Sequence, residues 1–102
     1  MTTAKKPRVL IVDDESSNLM LLEGWLRTAG YQVCRATNGQ EALTVIPNLA
    51  PDIVLLDVMM PDIDGFEVCR RLKSDPRVAA IPVIMLTALT DVEDHVHGIG
   101  FP

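Results

Sequence analysis

Two runs of four aliphatic residues, each closed by carboxylates, constrain this chain more than any other feature. Val9-Leu10-Ile11-Val12 leads into Asp13-Asp14-Glu15, and Ile53-Val54-Leu55-Leu56 leads into Asp57. Unbroken aliphatic runs of this length suit strands buried on both faces of a parallel sheet. If the two strands are parallel neighbours, three acids meet at the carboxyl end of one sheet, where open α/β folds place their ligands. Like charges so gathered repel unless a cation or protons neutralise them. The pattern predicts a metal site with a reactive carboxylate in it.

The rest of the chain alternates strand and helix. A strand is expected over Arg8–Val12, then a helix capped by Ser16 or Ser17 and running to about Thr28, with Gly30 as its stop. Leu19, Leu22 and Leu26 recur at helical spacing along it. Tyr31–Ala36 reads as a second strand, Asn38-Gly39 as a turn, and Gln40–Ile46 as a short helix ended by Pro47 and Pro51. A third strand is expected over Asp52–Leu56 and a turn-rich loop from Pro61 to Gly65. A helix over Phe66–Ser74 follows, with Phe66, Cys69 and Leu72 on one face. Asp75-Pro76 breaks that helix, Pro82–Leu86 forms a fourth strand, and Asp91–His97 begins a fourth helix capped by Thr90 or Asp91. This order implies α/β architecture, a doubly wound parallel sheet with right-handed crossovers.

Composition narrows the function classes. At 102 residues the chain holds one small domain, with residues 1–7 as a polar lead-in and residues 8–102 as the domain. A net charge of −5 argues against nucleic acid or an anionic membrane as a direct partner. No apolar stretch approaches the roughly twenty residues of a membrane helix, and Met1–Pro7 is no signal peptide. A cytoplasmic location is expected, with Cys34 and Cys69 as reduced, partly buried thiols.

Three segments in order closely resemble the receiver domain of bacterial two-component response regulators. They are Val9–Glu15, Asp57-Val58-Met59-Met60-Pro61-Asp62-Ile63-Asp64-Gly65, and Leu86-Thr87-Ala88. Asn18 and the run Asn38–Leu43 are similar too, and the likeness covers about Arg8 to Val96. The resemblance implies a flavodoxin-like sheet of order 2-1-3-4 and a phosphoacceptor role for Asp57, fed by a histidine kinase or phosphotransfer protein. It also implies Mg²⁺ held by Asp13, Asp14, Asp57 and the backbone carbonyl of Met59, with Asp13 acting through bound water. Thr87 would hydrogen-bond the phosphoryl oxygen and act as a switch, while Pro61, Asp64 and Gly65 shape the adjoining loop. Enzymatic activity beyond self-phosphorylation and dephosphorylation at Asp57 is not expected. The chemistry is consistent: Mg²⁺ prefers hard oxygen ligands, an Asp carboxylate serves as a phosphoryl nucleophile, and the metal offsets anion–anion repulsion.

One departure stands against these matches. The resemblance implies a lysine at the end of a fifth strand, followed by a fifth helix, yet the only lysines are Lys5, Lys6 and Lys73. With Gly98–Pro102 reached where the approach to that strand should begin, the receiver is expected to be truncated there. Losing a charge-assisted contact of this kind costs on the order of 1.5–3 kcal/mol. Val83-Ile84-Met85-Leu86 would then be an edge strand, which predicts a homodimer or strand-exchanged assembly covering it.

Plainer readings stand beside these. Asp is common at strand ends and turns, Glu15 reads as a solvated first-turn acid, and His95 and His97 do not face each other on a helix. Trp25 and Met20 need no role beyond packing or a dimer contact. The alternative function is a degenerate, non-switching receiver that serves as an interaction or dimerisation module. A metal-dependent phosphohydrolase ranks last, because Met59 stands where that chemistry wants a second acid.

Overall fold

The computed structural model describes residues 6–86. Seven elements alternate along them: β1 (Arg8–Val12), α1 (Ser16–Thr28), β2 (Gln32–Ala36), α2 (Gly39–Leu49), β3 (Ile53–Asp57), α3 (Gly65–Lys73) and β4 (Val83–Leu86). The strands are all parallel, in the order β2-β1-β3-β4. That is the expected doubly wound sheet. The fourth helix expected over Asp91–His97, with its cap at Thr90 or Asp91 and both histidines, lies outside the described residues.

The period-two alternation of β1 builds two cores. Leu10 and Val12 face one side, with Ala36, Val54 and Leu56, and pack against Ala42 and Ile46 of α2, Val68 and Leu72 of α3, and Val78. Val9 and Ile11 face the other side, with Val33 and Leu19 of α1. Leu22 and Leu26 pack against this second cluster, so the leucine spacing in α1 marks its buried stripe. Fully burying each aliphatic side chain contributes about 1.5–3 kcal/mol. Residues Val9 to Val12 are 2% exposed or less, which accounts for a run with no polar residue in it.

Several boundaries differ from the sequence reading, each for a local reason. Glu15 rather than a serine occupies the N-cap of α1, with no side-chain cap bond, and Ser16 is already helical. The turn is set instead by Asp13, whose Oδ1 accepts from the Glu15 N–H at 2.9 Å. At the other end Gly30 does stop the helix. With φ +98° it lets its own N–H reach Arg27 O and the Tyr31 N–H reach Leu26 O, both at 3.0 Å, the paired bonds of a Schellman motif.

α2 runs through Pro47 to Leu49 instead of ending there. Proline forfeits one intrahelical bond, but its φ is compatible with a helix. Buried Ala42 and Ile46 hold the helix to the sheet on the N-terminal side of it. The Arg8 guanidinium donates to Leu49 O at 2.6 Å, supplying a cation where the last carbonyls lack partners. In α3 the buried positions are Gly65, Val68 and Leu72, while Cys69 is half-buried and Phe66 is 65% exposed. The expected stripe of Phe66, Cys69 and Leu72 is therefore rotated, because Gly65 is the residue pressed against β3. β3 itself is shifted by one residue, so Asp57 is the last residue of the strand. Strands β2 and β4 each start one residue later than expected.

Leu10→Ala should destabilise the fold by about 2–5 kcal/mol. The readout is a lower urea midpoint at unchanged m-value. Met20→Ala, at a side chain 70% exposed, should change stability by less than about 0.5 kcal/mol.

Candidate functional site

Strand register brings the acids together. Val12 pairs with Leu56, so Asp13 and Asp57 leave the sheet at the same level. Carboxylate oxygens of Asp13, Asp14 and Asp57 all lie within 4.8 Å of one another. Asp13 and Asp57 are each 5% exposed, and Asp14 is exposed. Glu15, next in sequence, is not part of the cluster. It is an exposed N-cap residue, in keeping with its plainer reading.

Each buried acid is oriented by neighbouring groups. The Asn18 amide donates to Asp13 Oδ2 at 3.2 Å, complementing the Glu15 N–H on Oδ1, so one carboxylate is held from both sides. Asp57 Oδ1 accepts from the Met59 N–H at 3.2 Å, which folds the start of the β3–α3 loop back over the strand end. The loop returns through the Gly65 N–H, which donates to Val58 O at 3.0 Å. A Cβ at Gly65 would lie 2.5 Å from Asp57 O, so this close approach requires glycine. Asp64 caps α3 by accepting from Glu67 N at 2.9 Å.

The electrostatics follow from this packing. Burial pushes the Asp57 carboxyl up to about 6, and the charges of Asp13 and Asp14 push the same way, against the Met59 N–H, which favours the anion. Among the described residues no lysine or arginine pairs with any of the three acids. Lys73 donates to Ala79 O at 3.1 Å and Ile81 O at 2.8 Å, so backbone carbonyls occupy it. Lys6 lines a cleft with Arg8, Gln32 and Asp52, beside the amino-terminal ends of the strands and so opposite the acids. Lys5 lies outside the described residues. A converging set of hard oxygen donors with no fixed cation among them fits a divalent cation such as Mg²⁺.

Of the other expected site residues, Met59 lies on the loop with its side chain 63% exposed. Thr87 lies outside the described residues. Its predecessor Leu86 pairs with Asp57, and Val58 N donates to Leu86 O at 3.1 Å. The sequence reading missed Asp62, whose carboxylate accepts from Gly39 N at 3.2 Å and Gln40 N at 2.8 Å. No local pattern marks a cap delivered to a helix from twenty-two residues away.

The sequence matches the response regulator receiver domain family over residues 9–101. It is 48% identical over 92 residues to the response regulator PleD of Caulobacter vibrioides, covering 90% of this chain and 20% of PleD. It is 45% identical over 92 residues to the DNA-binding dual master transcriptional regulator RpaA of Synechocystis, covering 90% of this chain and 38% of RpaA. A solved chain from Chloroflexus aurantiacus described as a response regulator superposes with a TM-score of 0.81 at 41% identity, covering 94% of this chain and 79% of that one. The chain belongs to the response regulator receiver domain family. It spans two-fifths or less of the length of these two curated relatives. Domains of this family are signalling modules of two-component systems that work with histidine kinases or phosphotransfer proteins and bind Mg²⁺ at an acidic pocket. Among the described residues no helix is long and apolar enough to cross a membrane.

A proton on Asp57 stabilises the cluster when no cation is present. Between about pH 4 and 6 the native state holds a proton that the unfolded chain has released, so stability without metal falls as pH rises through that window. Thermal melts in a chelator should show this decline, Asp57→Asn should remove most of it, and Mg²⁺ should oppose it above pH 6.

Proposed function

We propose that residues 8–102 form a phosphoacceptor receiver unit of a phosphorelay, with Asp57 taking a phosphoryl group from a histidine kinase or phosphotransfer protein. The observation that carries this reading is the convergence of Asp13, Asp14 and Asp57 within 4.8 Å at one sheet end. In the transfer, an Asp57 carboxylate oxygen attacks phosphorus, the bond to the donor's leaving atom breaks, and an acyl phosphate forms. Hydrolysis by water later returns the carboxylate and inorganic phosphate. Asp13, Asp14, Asp57 and the Met59 carbonyl would hold Mg²⁺, whose charge offsets repulsion between nucleophile and donor. Thr87 would donate to a phosphoryl oxygen.

A second reading is favoured by one observation. No basic side chain among the described residues meets the acids, and Lys73 is committed to carbonyls. If no basic side chain reaches the acids from elsewhere in the protein, the unit would serve as a non-switching interaction module. Under either reading, a cytoplasmic location and an assembly of two copies across β4 belong to the proposal. β4 pairs only with β3 among the described residues, and Ile84 is 47% exposed. Sedimentation equilibrium should then give a dimer mass, and Ile84→Lys should give the monomer. A monomeric wild type would remove the assembly from the reading.

The deciding experiment is intact mass after incubation with Mg²⁺ and acetyl phosphate, beside Asp57→Asn. A phosphoryl adduct is expected on the wild type alone and should disappear when Mg²⁺ is chelated. A folded, Mg²⁺-binding wild type with no adduct would replace phosphorelay with the interaction-module reading.

A further inference from the structure

The β3–α3 loop is held at two places. Its inner end is fixed by Gly65 against the Asp57 backbone. Its outer arc is fixed by a helix from elsewhere in the chain. The first N–H groups of α2 have no partner within the helix, and three of them are met by side chains. Asn38 Oδ1 takes Glu41 N at 2.7 Å, while the Asp62 carboxylate takes Gly39 N at 3.2 Å and Gln40 N at 2.8 Å. Asn38 is local to its helix, but Asp62 belongs to the loop that runs from Val58 past Met59 to α3. Burial opposes ionisation of Asp62, yet the N–H groups of Gln40, Ile63 and Gly39 outweigh it and hold the carboxyl below the usual carboxylate range.

The contact is tight as well as polar. Gly39 is buried, and a Cβ there would lie 2.6 Å from Ile63 Cγ1, 2.7 Å from Val68 Cγ2 and 3.1 Å from Ile63 O. Helix α2 thus abuts the loop backbone one residue beyond the carboxylate that bonds it. Asp62 stands three positions after Met59, whose N–H orients Asp57 and whose carbonyl is the expected backbone metal ligand.

We propose that Asp62 is a positioning residue, which pins the β3–α3 loop to the start of α2 and so sets where the Met59 backbone stands over Asp57. The role rests on reading the acids as a Mg²⁺ and phosphoacceptor site. Asp62 is not one of the clustered acids, and its carboxylate is taken up by the α2 amides. It would limit the freedom of the segment that carries Met59. Gly39 is the other half of the contact, because any side chain there pushes the loop away from the helix.

The test compares wild type, Asp62→Ala, Asp62→Asn and Gly39→Ala by Mg²⁺ titration calorimetry, acetyl phosphate adduct rate and amide hydrogen exchange. Asp62→Ala, which removes both bonds to α2, should weaken Mg²⁺ binding by about fivefold, part of their combined worth reaching the site through the loop. Its adduct rate should fall at subsaturating Mg²⁺ and recover at saturating Mg²⁺. Exchange of the Gly39, Gln40 and Met59 amides should quicken while core amides stay protected, which general destabilisation would not produce. Asp62→Asn keeps one acceptor oxygen and should lie between wild type and Asp62→Ala. Gly39→Ala should reproduce the weaker Mg²⁺ binding with the Asp62 carboxylate still present. Unchanged Mg²⁺ affinity and unchanged Met59 exchange in Asp62→Ala would overturn the positioning role while leaving the site reading intact. A wild type that binds no Mg²⁺ would instead overturn the site reading, and the positioning role with it.

Discussion

Everything at the carboxyl end of this sheet depends on the pairing of Val12 with Leu56. Side chains alternate along strands, so a slip of one residue would turn one acid away from the other. That register is protected from within. Val12 and Leu56, which precede Asp13 and Asp57, are fully buried, and β1 and β3 occupy the centre of the sheet. The apolar core therefore does more than stabilise. It spends its packing energy on holding two anions side by side, a placement that electrostatics alone would reject.

The chain answers that repulsion with hydrogen bonds and leaves it without a positive side chain among the described residues. Asp13 is turned by Asn18 and the Glu15 N–H, and Asp57 by the Met59 N–H. These bonds set orientation without neutralising charge. A site so arranged holds a proton on Asp57 at low pH and is suited to a hard cation at neutral pH. Its basic residues are employed elsewhere, as with Arg70 and Arg71 on Glu67, and Arg27 and Arg35 on Glu23. Exposed pairs of that kind contribute little to stability, but they keep those cations on the outer surfaces of the helices.

Strand placement and the acid cluster were legible in the sequence because both follow from short, local signals. Four aliphatics then an acid mark the end of a buried strand, and two such endings on parallel neighbours meet. The errors arose where a tertiary contact overrode a local preference. Ser16 and Ser17 are good caps, but buried Asp13 set the turn first. Pro47 is a good helix stop, but the helix was already held by Ala42 and Ile46. Phe66 is a good core residue, but Gly65 had to lie against Asp57, which rotated it outward. Asp62 was invisible for a related reason, since its partners are amides of a helix that precedes it by two elements.

The bond from Arg8 to Leu49 O has a bearing on how the molecule comes into being. Arg8 leaves the ribosome about forty residues before the carbonyl it will meet, and its N–H later takes Asp52 Oδ2 at 2.7 Å. These two bonds of the first strand must therefore wait, in a nascent chain, for the end of α2 and the start of β3. When these arrive, one arginine fastens all three at the amino-terminal rim of the sheet, the pole farthest from the acids. Closure of that rim is thus tied to the arrival of β3, the same strand that carries Asp57 to the opposite end.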